Sequence, residues 1–301
     1  MRAVALRAWW SAARPRTLFV GLAAVSLGIA AAGGEGAFDP LRAGVIVLTA
    51  LLLQIGVNFA NDLSDFVRGV DGPERCGPPR ACQQGLVTPR AMAGATAAVL
   101  LGASASGLAL VLWGGWPYAV LGAASVAAAV LYTGGPRPLG YLGLGDLLVL
   151  VFFGPVAVGG SFALLRGRWS GETIAAGIAV GLLAAAVLHA NNMRDMAGDR
   201  RAGKRTLAVR LGLRGARIYF ALLVLAPFGI VVSLARAWGA DLLPLVLLPW
   251  ALVWVRRVAT AVPPGEPGGS RQEAAVFDGA LAAVARLLVV FVLTWLPRWL
   301  G

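Results

Sequence analysis

Residues 41–71 read LRAGVIVLTALLLQIGVNFANDLSDFVRGVD, in which Arg42 is the only charge before a cluster of Asn61, Asp62, Asp65 and Asp71. A hydrocarbon layer about 30 Å thick is crossed by about 20 helical residues, so the stretch 41–60 reads as a membrane-spanning helix. If that helix continues, Asn58, Asp62 and Asp65 fall four and three residues apart on one face. Residues 172–201, ETIAAGIAVGLLAAAVLHANNMRDMAGDRR, repeat the plan: an apolar span and then Asn191, Asp195 and Asp199 at intervals of four. Two apolar helices ending in carboxylate ladders set the terms for the rest of the chain.

Seven further apolar stretches join these two, giving spans at about 17–33, 41–60, 91–113, 116–133, 146–165, 172–191, 215–237, 240–260 and 275–297. The reading is an all-α, polytopic membrane protein of about nine transmembrane helices in one domain, 1–301. Of the 301 residues 58% are hydrophobic and 13% charged, against about 25% charged in soluble domains, which excludes a soluble enzyme. The first span is longer than a signal-peptide core and Glu35-Gly36-Ala37 is no cleavage site, so it is read as mature structure. Pro263 to Ser270 is a Pro/Gly-rich stretch without a motif, read as a flexible linker.

The net charge of +12 would suggest nucleic acid in a soluble protein, but here its distribution points to a bilayer. With the loops numbered alternately, 20 basic residues fall on the side of the N-terminus and five on the other, with Arg286 inside the last span. The positive-inside rule places the N-terminus in the cytoplasm and the C-terminus outside. The loops 61–90 and 192–214, which carry most of the acids that could do chemistry, are then cytoplasmic, and function is expected on that face. Cys76 and Cys82 share the first of these loops and imply no disulfide in a reducing compartment.

Paired carboxylate ladders suit a hard cation, because Mg²⁺ takes oxygen ligands and commonly combines few carboxylates with substrate phosphates. Arg194, Arg200, Arg201, Lys204 and Arg205 beside the second ladder suit phosphate oxygens. Arg137, in a loop of its own, approaches the same pocket or snorkels to the interface. The competing account of each ladder is a solvated helix end with Asp–Arg pairs. A secondary transporter binding Na⁺ or H⁺ is the other alternative.

The motifs resemble a family. Asn61-Asp62-Leu-Ser-Asp65, Gly77-Pro-Pro-Arg80 and Asn191-Asn192-Met-Arg194-Asp195-Met-Ala-Gly-Asp199 are similar to the two aspartate motifs of the UbiA superfamily of intramembrane prenyltransferases. Ala13-Arg14-Pro15-Arg16-Thr17, Tyr132-Thr133-Gly134, Gly145-Asp146, Phe153-Gly154-Pro155 and Gly203 to Gly212 resemble its 1,4-dihydroxy-2-naphthoate branch. Gly69 stands where a third acid of the first motif would fall, and Asn191 opens the second, as in that branch.

The resemblance implies a UbiA-type bundle in the cell (inner) membrane, with a chamber facing the cytoplasm, and the joining of a polyprenyl diphosphate to an aromatic acceptor. It implies Mg²⁺ on Asp62, Asp65, Asp195 and Asp199, and substrate contacts from Arg14, Asn58, Asn61, Arg68, Arg137, Asn191, Asn192, Arg194 and Lys204. With dihydroxynaphthoate as acceptor, diphosphate and CO₂ leave and demethylmenaquinone forms; hydroxybenzoate, homogentisate and a haem vinyl group are the other acceptors. Phe59, Phe66, Tyr132 and Tyr141 either face an allylic cation or pack. His189 is either a buried helix-to-helix link or catalytic, Asp146 and Asp278 are acids at membrane edges, and Gln54 faces the acceptor or another helix. No oligomeric state follows from the sequence.

Overall fold

The computed structural model describes residues 2–69, 80–239 and 241–300. Asp71, Cys76 and Gly77 to Pro79 therefore lie outside the described residues. Among those described every regular element is a helix. In chain order they are α1 (Arg2–Ala13), α2 (Pro15–Gly34), α3 (Pro40–Val67), α4 (Pro89–Gly114) and α5 (Trp116–Leu131). Then come α6 (Gly145–Arg166), α7 (Gly171–Arg194), α8 (Met196–Arg201), α9 (Leu207–Trp238), α10 (Leu243–Thr260) and α11 (Ala274–Leu300).

Eight of the described helices are long and apolar enough to cross a membrane, and α5, with 16 residues, is a shorter apolar ninth. The expected nine apolar segments are thus all helical. Two features were not in the reading of the spans. α1 precedes the first span, and it meets α2 at Arg14, whose φ of 52° makes it the only described non-glycine residue in the left-handed region. α6 contains a π-helical stretch, Phe152–Gly159, with Gly154 non-helical before Pro155.

The centre of the bundle is α7, 72% of whose apolar stretch is buried. Its run of alanine and glycine permits close approach, the usual means of helix packing in lipid. A Cβ at Gly181 would lie 2.3 Å from the Leu150 carbonyl oxygen, and one at Gly177 would lie 2.9 Å from Gly154. Around α7 the main core gathers Leu27, Phe162, Leu183, Phe220, Phe277, Phe291 and Trp295. A smaller core joins Ala8 and Ala12 of α1, Phe59 of α3, Ala81 and Cys82 of the following loop, and Met92 of α4. That second core fixes the 80–87 loop over the end of α3, where the first ladder lies.

The segment 263–270 differs from the flexible linker expected of it. Glu266 pairs with Arg200 of α8 at 2.8 Å, Gly269 donates to the Glu266 carbonyl, and Gly265 comes close to Ala197. Glycine and proline here shape a turn packed against the second ladder.

Candidate active site

A chamber of about 1430 Å³ runs through the bundle, larger than a typical small-molecule pocket of about 300–1,000 Å³. Its lower walls are apolar, from Val25, Leu53, Phe152 and Leu164 among others, and its polar end is formed by Arg14, Asn58, Asn61, Asp62, Asn191 and Arg194. These six were all singled out in the sequence, and the α1–α2 joint, α3 and α7 bring them together from positions up to 180 residues apart.

The first ladder lies on one helix, because α3 continues to Val67. Asp62 is buried, and its two oxygens accept the backbone N–H groups of Ala81 and Cys82, both at 3.1 Å. Asp65, also buried, accepts from Arg80 at 2.6 Å and from the Tyr141 hydroxyl at 2.9 Å. Asn58 turns its amide N–H₂ to the Ala13 carbonyl (2.8 Å) and the Thr17 hydroxyl (3.2 Å), fastening α3 to the α1–α2 joint. Gln54 reaches the same hydroxyl, so the helix it faces is α2. Asn61 Oδ1 is buried without a hydrogen-bond partner among the described residues.

The second ladder is not one continuous helix, as its spacing had suggested. α7 ends at Arg194 and α8 begins at Met196, with Asp195 in a non-helical conformation between them. Asp199 nevertheless donates its N–H to the Asp195 carbonyl at 2.8 Å, so the two carboxylates stay one turn apart. Arg194 is buried and grips both oxygens of Asp195 (2.8 and 2.7 Å), Asn191 Oδ1 (2.8 Å) and Asp278 of α11. Lys204 Nζ stands 3.5 Å from Asp199 Oδ1, while Asp199 Oδ2 is buried without a hydrogen-bond partner among the described residues.

The two ladders face one another. Burial pushes the Asp199 carboxyl up to about 6, with Asp195 and Asp65 adding to the rise and Lys204 opposing it. Between them lies Tyr141, with Lys204 Nζ and the Arg68 guanidinium each 5.4 Å from its ring centroid. Burial and the Asp65 charge raise the Tyr141 phenol, which keeps it a hydrogen-bond donor to Asp65.

Other expected residues are placed elsewhere. Arg137 is exposed in its loop and does not line the chamber. Asn192 is buried off the chamber, its amide 3.4 Å from Asp146. His189 is fully buried between Asp146 (2.7 Å) and the Ala216 carbonyl (3.2 Å), linking α6, α7 and α9. Of the four aromatic residues considered for an allylic cation, Tyr132 lines the chamber, while Phe59 packs edge-on against Trp9 at 5.4 Å. Tyr118, Phe152 and Phe153 also line it. They were missed because an aromatic residue inside an apolar span carries no signal of which way it faces.

No three acidic, histidine or cysteine side chains converge as a ready-made metal cage among the described residues. The donor set still fits a hard divalent cation: it is all oxygen, two of its buried oxygens are unpartnered, and Mg²⁺ bound with a diphosphate needs only one or two carboxylates.

A helical chamber with Asp62, Asn191 and Arg194 at its polar end and the other ladder acids beside them suits an intramembrane enzyme. The chain matches the UbiA prenyltransferase family over residues 20–267, and it belongs to that family. It is 45% identical to a protein named 1,4-dihydroxy-2-naphthoate octaprenyltransferase from Escherichia coli, over 77% of this chain and 79% of that protein. A protein of the same name from Mycobacterium tuberculosis is 42% identical over 94% of both chains. In fold the chain is similar to a UbiA homolog from Archaeoglobus fulgidus solved with DMAPP and Mg²⁺, with a TM-score of 0.64 at 14% identity, covering 94% of this chain and 99% of that one. Family membership sets aside the transporter alternative.

Proposed function

We propose that the chain, acting as one domain in the cell membrane with its polar chamber end toward the cytoplasm, transfers a polyprenyl group from its diphosphate to 1,4-dihydroxy-2-naphthoate. Diphosphate and CO₂ leave and the quinol form, demethylmenaquinol, is produced; its oxidation to demethylmenaquinone is a separate step. The observation that carries this reading is the meeting of two carboxylate ladders at the polar end of one long apolar chamber, in a chain so similar to proteins named for that reaction.

Asp62, Asp65, Asp195 and Asp199 would hold Mg²⁺, which when bound supplies positive charge for the departing diphosphate. Lys204, Arg68 and Arg80 lie beside the ladders, where they neutralise phosphate oxygens not taken by metal. Asn58 and Thr17 fix the α1–α2 joint and with it Arg14 at the chamber mouth. The apolar walls accept the prenyl chain and exclude water from the allylic carbon as its C–O bond breaks. Tyr132 lines the chamber, and π faces attract cations. The acceptor ring attacks the allylic carbon at the position bearing its carboxylate, and loss of CO₂ restores aromaticity.

Purified protein in lipid, given a polyprenyl diphosphate, Mg²⁺ and naphthoate, is expected to release diphosphate and CO₂ in equal amounts and to stop in excess chelator. Asp62→Asn and Asp195→Asn should each lower turnover at least about a hundredfold, since even outer partners of a metal site are worth about 10–100-fold. Full activity in either variant, or in chelator, contradicts the assignment.

A further inference from the structure

Asp278 lies on α11, beyond the residues 20–267 that match the family, and belongs to neither ladder. Its side chain is 44% exposed and lines the chamber, whereas the Arg194 guanidinium bonded to it is 1% exposed. Among the described residues Arg194 donates to Asp195, Asn191 and Asp278. It thereby ties the second ladder to a helix 84 positions further along the chain.

A guanidinium keeps its charge in proteins, and a buried one left without an anion is strongly unfavourable. In the structure two carboxylates, Asp195 and Asp278, answer Arg194. Once an Asp195 oxygen turns to a divalent cation, its single negative charge is shared between two positive centres. Asp278 is then the carboxylate that remains for Arg194.

We propose that Asp278 is a positioning residue: the chamber-side counter-ion of Arg194, releasing Asp195 to hold the divalent cation while Asn191 and Arg194 keep their places. This rests on the metal reading of the second ladder given above. Asp278 acts through Arg194, and a plain cross-link between α7 and α11 would behave differently in the following test.

Mn²⁺ binding is counted by electron paramagnetic resonance on the full chain in lipid nanodiscs without substrate, alongside the thermal midpoint and Michaelis constants. Asp278→Asn keeps the shape and an acceptor for Arg194 but removes the charge. It should bind Mn²⁺ about tenfold more weakly and need more Mg²⁺ for half-maximal turnover, with a thermal midpoint near wild type and a KM for naphthoate within about twofold. Asp278→Glu should recover most of the affinity. In an Arg194→Gln background Asp278→Asn should add nothing further, because the charge it balances is gone.

Undiminished Mn²⁺ binding in Asp278→Asn, or the same loss with and without Arg194, overturns the proposal. A lowered thermal midpoint with unchanged Mn²⁺ affinity also overturns it, leaving a cross-link. Should Asp278→Asn not accumulate as folded protein, Asp278→Glu carries the test, and lost affinity in that charge-retaining variant is the contrary result. Asp195→Asn separates the two layers of inference. Wild-type Mn²⁺ binding there defeats the ladder assignment itself, whereas loss there with none in Asp278→Asn defeats only the role of Asp278.

Discussion

Each acid of the ladders meets a different partner: Asp62 two backbone N–H groups, Asp65 an arginine and a phenol, Asp195 the fork of Arg194, Asp199 a lysine on one oxygen alone. Their effect is most exposed to measurement at Asp199, whose carboxyl rises from an ordinary 3.8 to about 6. A raised folded value means the folded chain binds more protons than the unfolded one between these limits. The group's contribution to stability is therefore present below pH 3.8 and lost as pH rises through about 6. Cation binding has the opposite slope, because only the carboxylate is a ligand. The Mg²⁺-induced rise in thermal midpoint should thus weaken below pH 6, and Asp199→Asn should flatten that dependence; an Mg²⁺ effect equal at pH 5 and pH 7 would speak against Asp199 as a ligand. At this scale the sequence was legible wherever polar residues recur at helical spacing after an apolar span. The partners were not, since Tyr141 reaches Asp65 across 76 positions and only the closed fold brings them together.

At the scale of elements, the apolar stretches were readable because lipid allows few alternatives to a helix of about 20 residues. What escaped were departures inside helices. Asp195 breaks the second ladder although residues 191–201 contain no proline and only Gly198 as a breaker. The break accompanies the grip of Arg194 on its neighbour and the donation of the Lys204 N–H to the Asp199 carbonyl at 2.7 Å. The π-helical stretch of α6 likewise depends on α7, where Gly177 and Gly181 let the distorted backbone approach. A methyl group at Gly181 would meet the Leu150 carbonyl at 2.3 Å. Gly181→Ala should therefore destabilise the protein by about 1–3 kcal/mol, seen as a lower thermal midpoint in detergent. Gly122→Ala, with nothing within 4 Å of the added carbon, serves as the comparison, and equal midpoints for the two variants would contradict the packing account.

Over the whole molecule, the 20-to-5 division of basic loop residues supports the proposed sides of the membrane, and the ladders, the 80–87 loop and the 263–270 turn share one end of the bundle. With Cys76 and Cys82 replaced by serine, Trp169→Cys is expected to react with an impermeant maleimide added outside cells, and Ser270→Cys only after the membrane is opened. Reversed labelling would invert the topology. Acceptor identity belongs to this scale too, since hydrophobic pockets separate similar shapes by only about 1–3 kcal/mol per methylene-sized difference, and no single residue of the chamber announces naphthoate. The most direct trial is a competition among carboxyl-labelled 1,4-dihydroxy-2-naphthoate, 4-hydroxybenzoate and homogentisate for one polyprenyl diphosphate with Mg²⁺. The predicted result is predominantly prenylated naphthoate, with one labelled CO₂ released per molecule of product; preferential prenylation of hydroxybenzoate with its carboxylate retained would contradict the account.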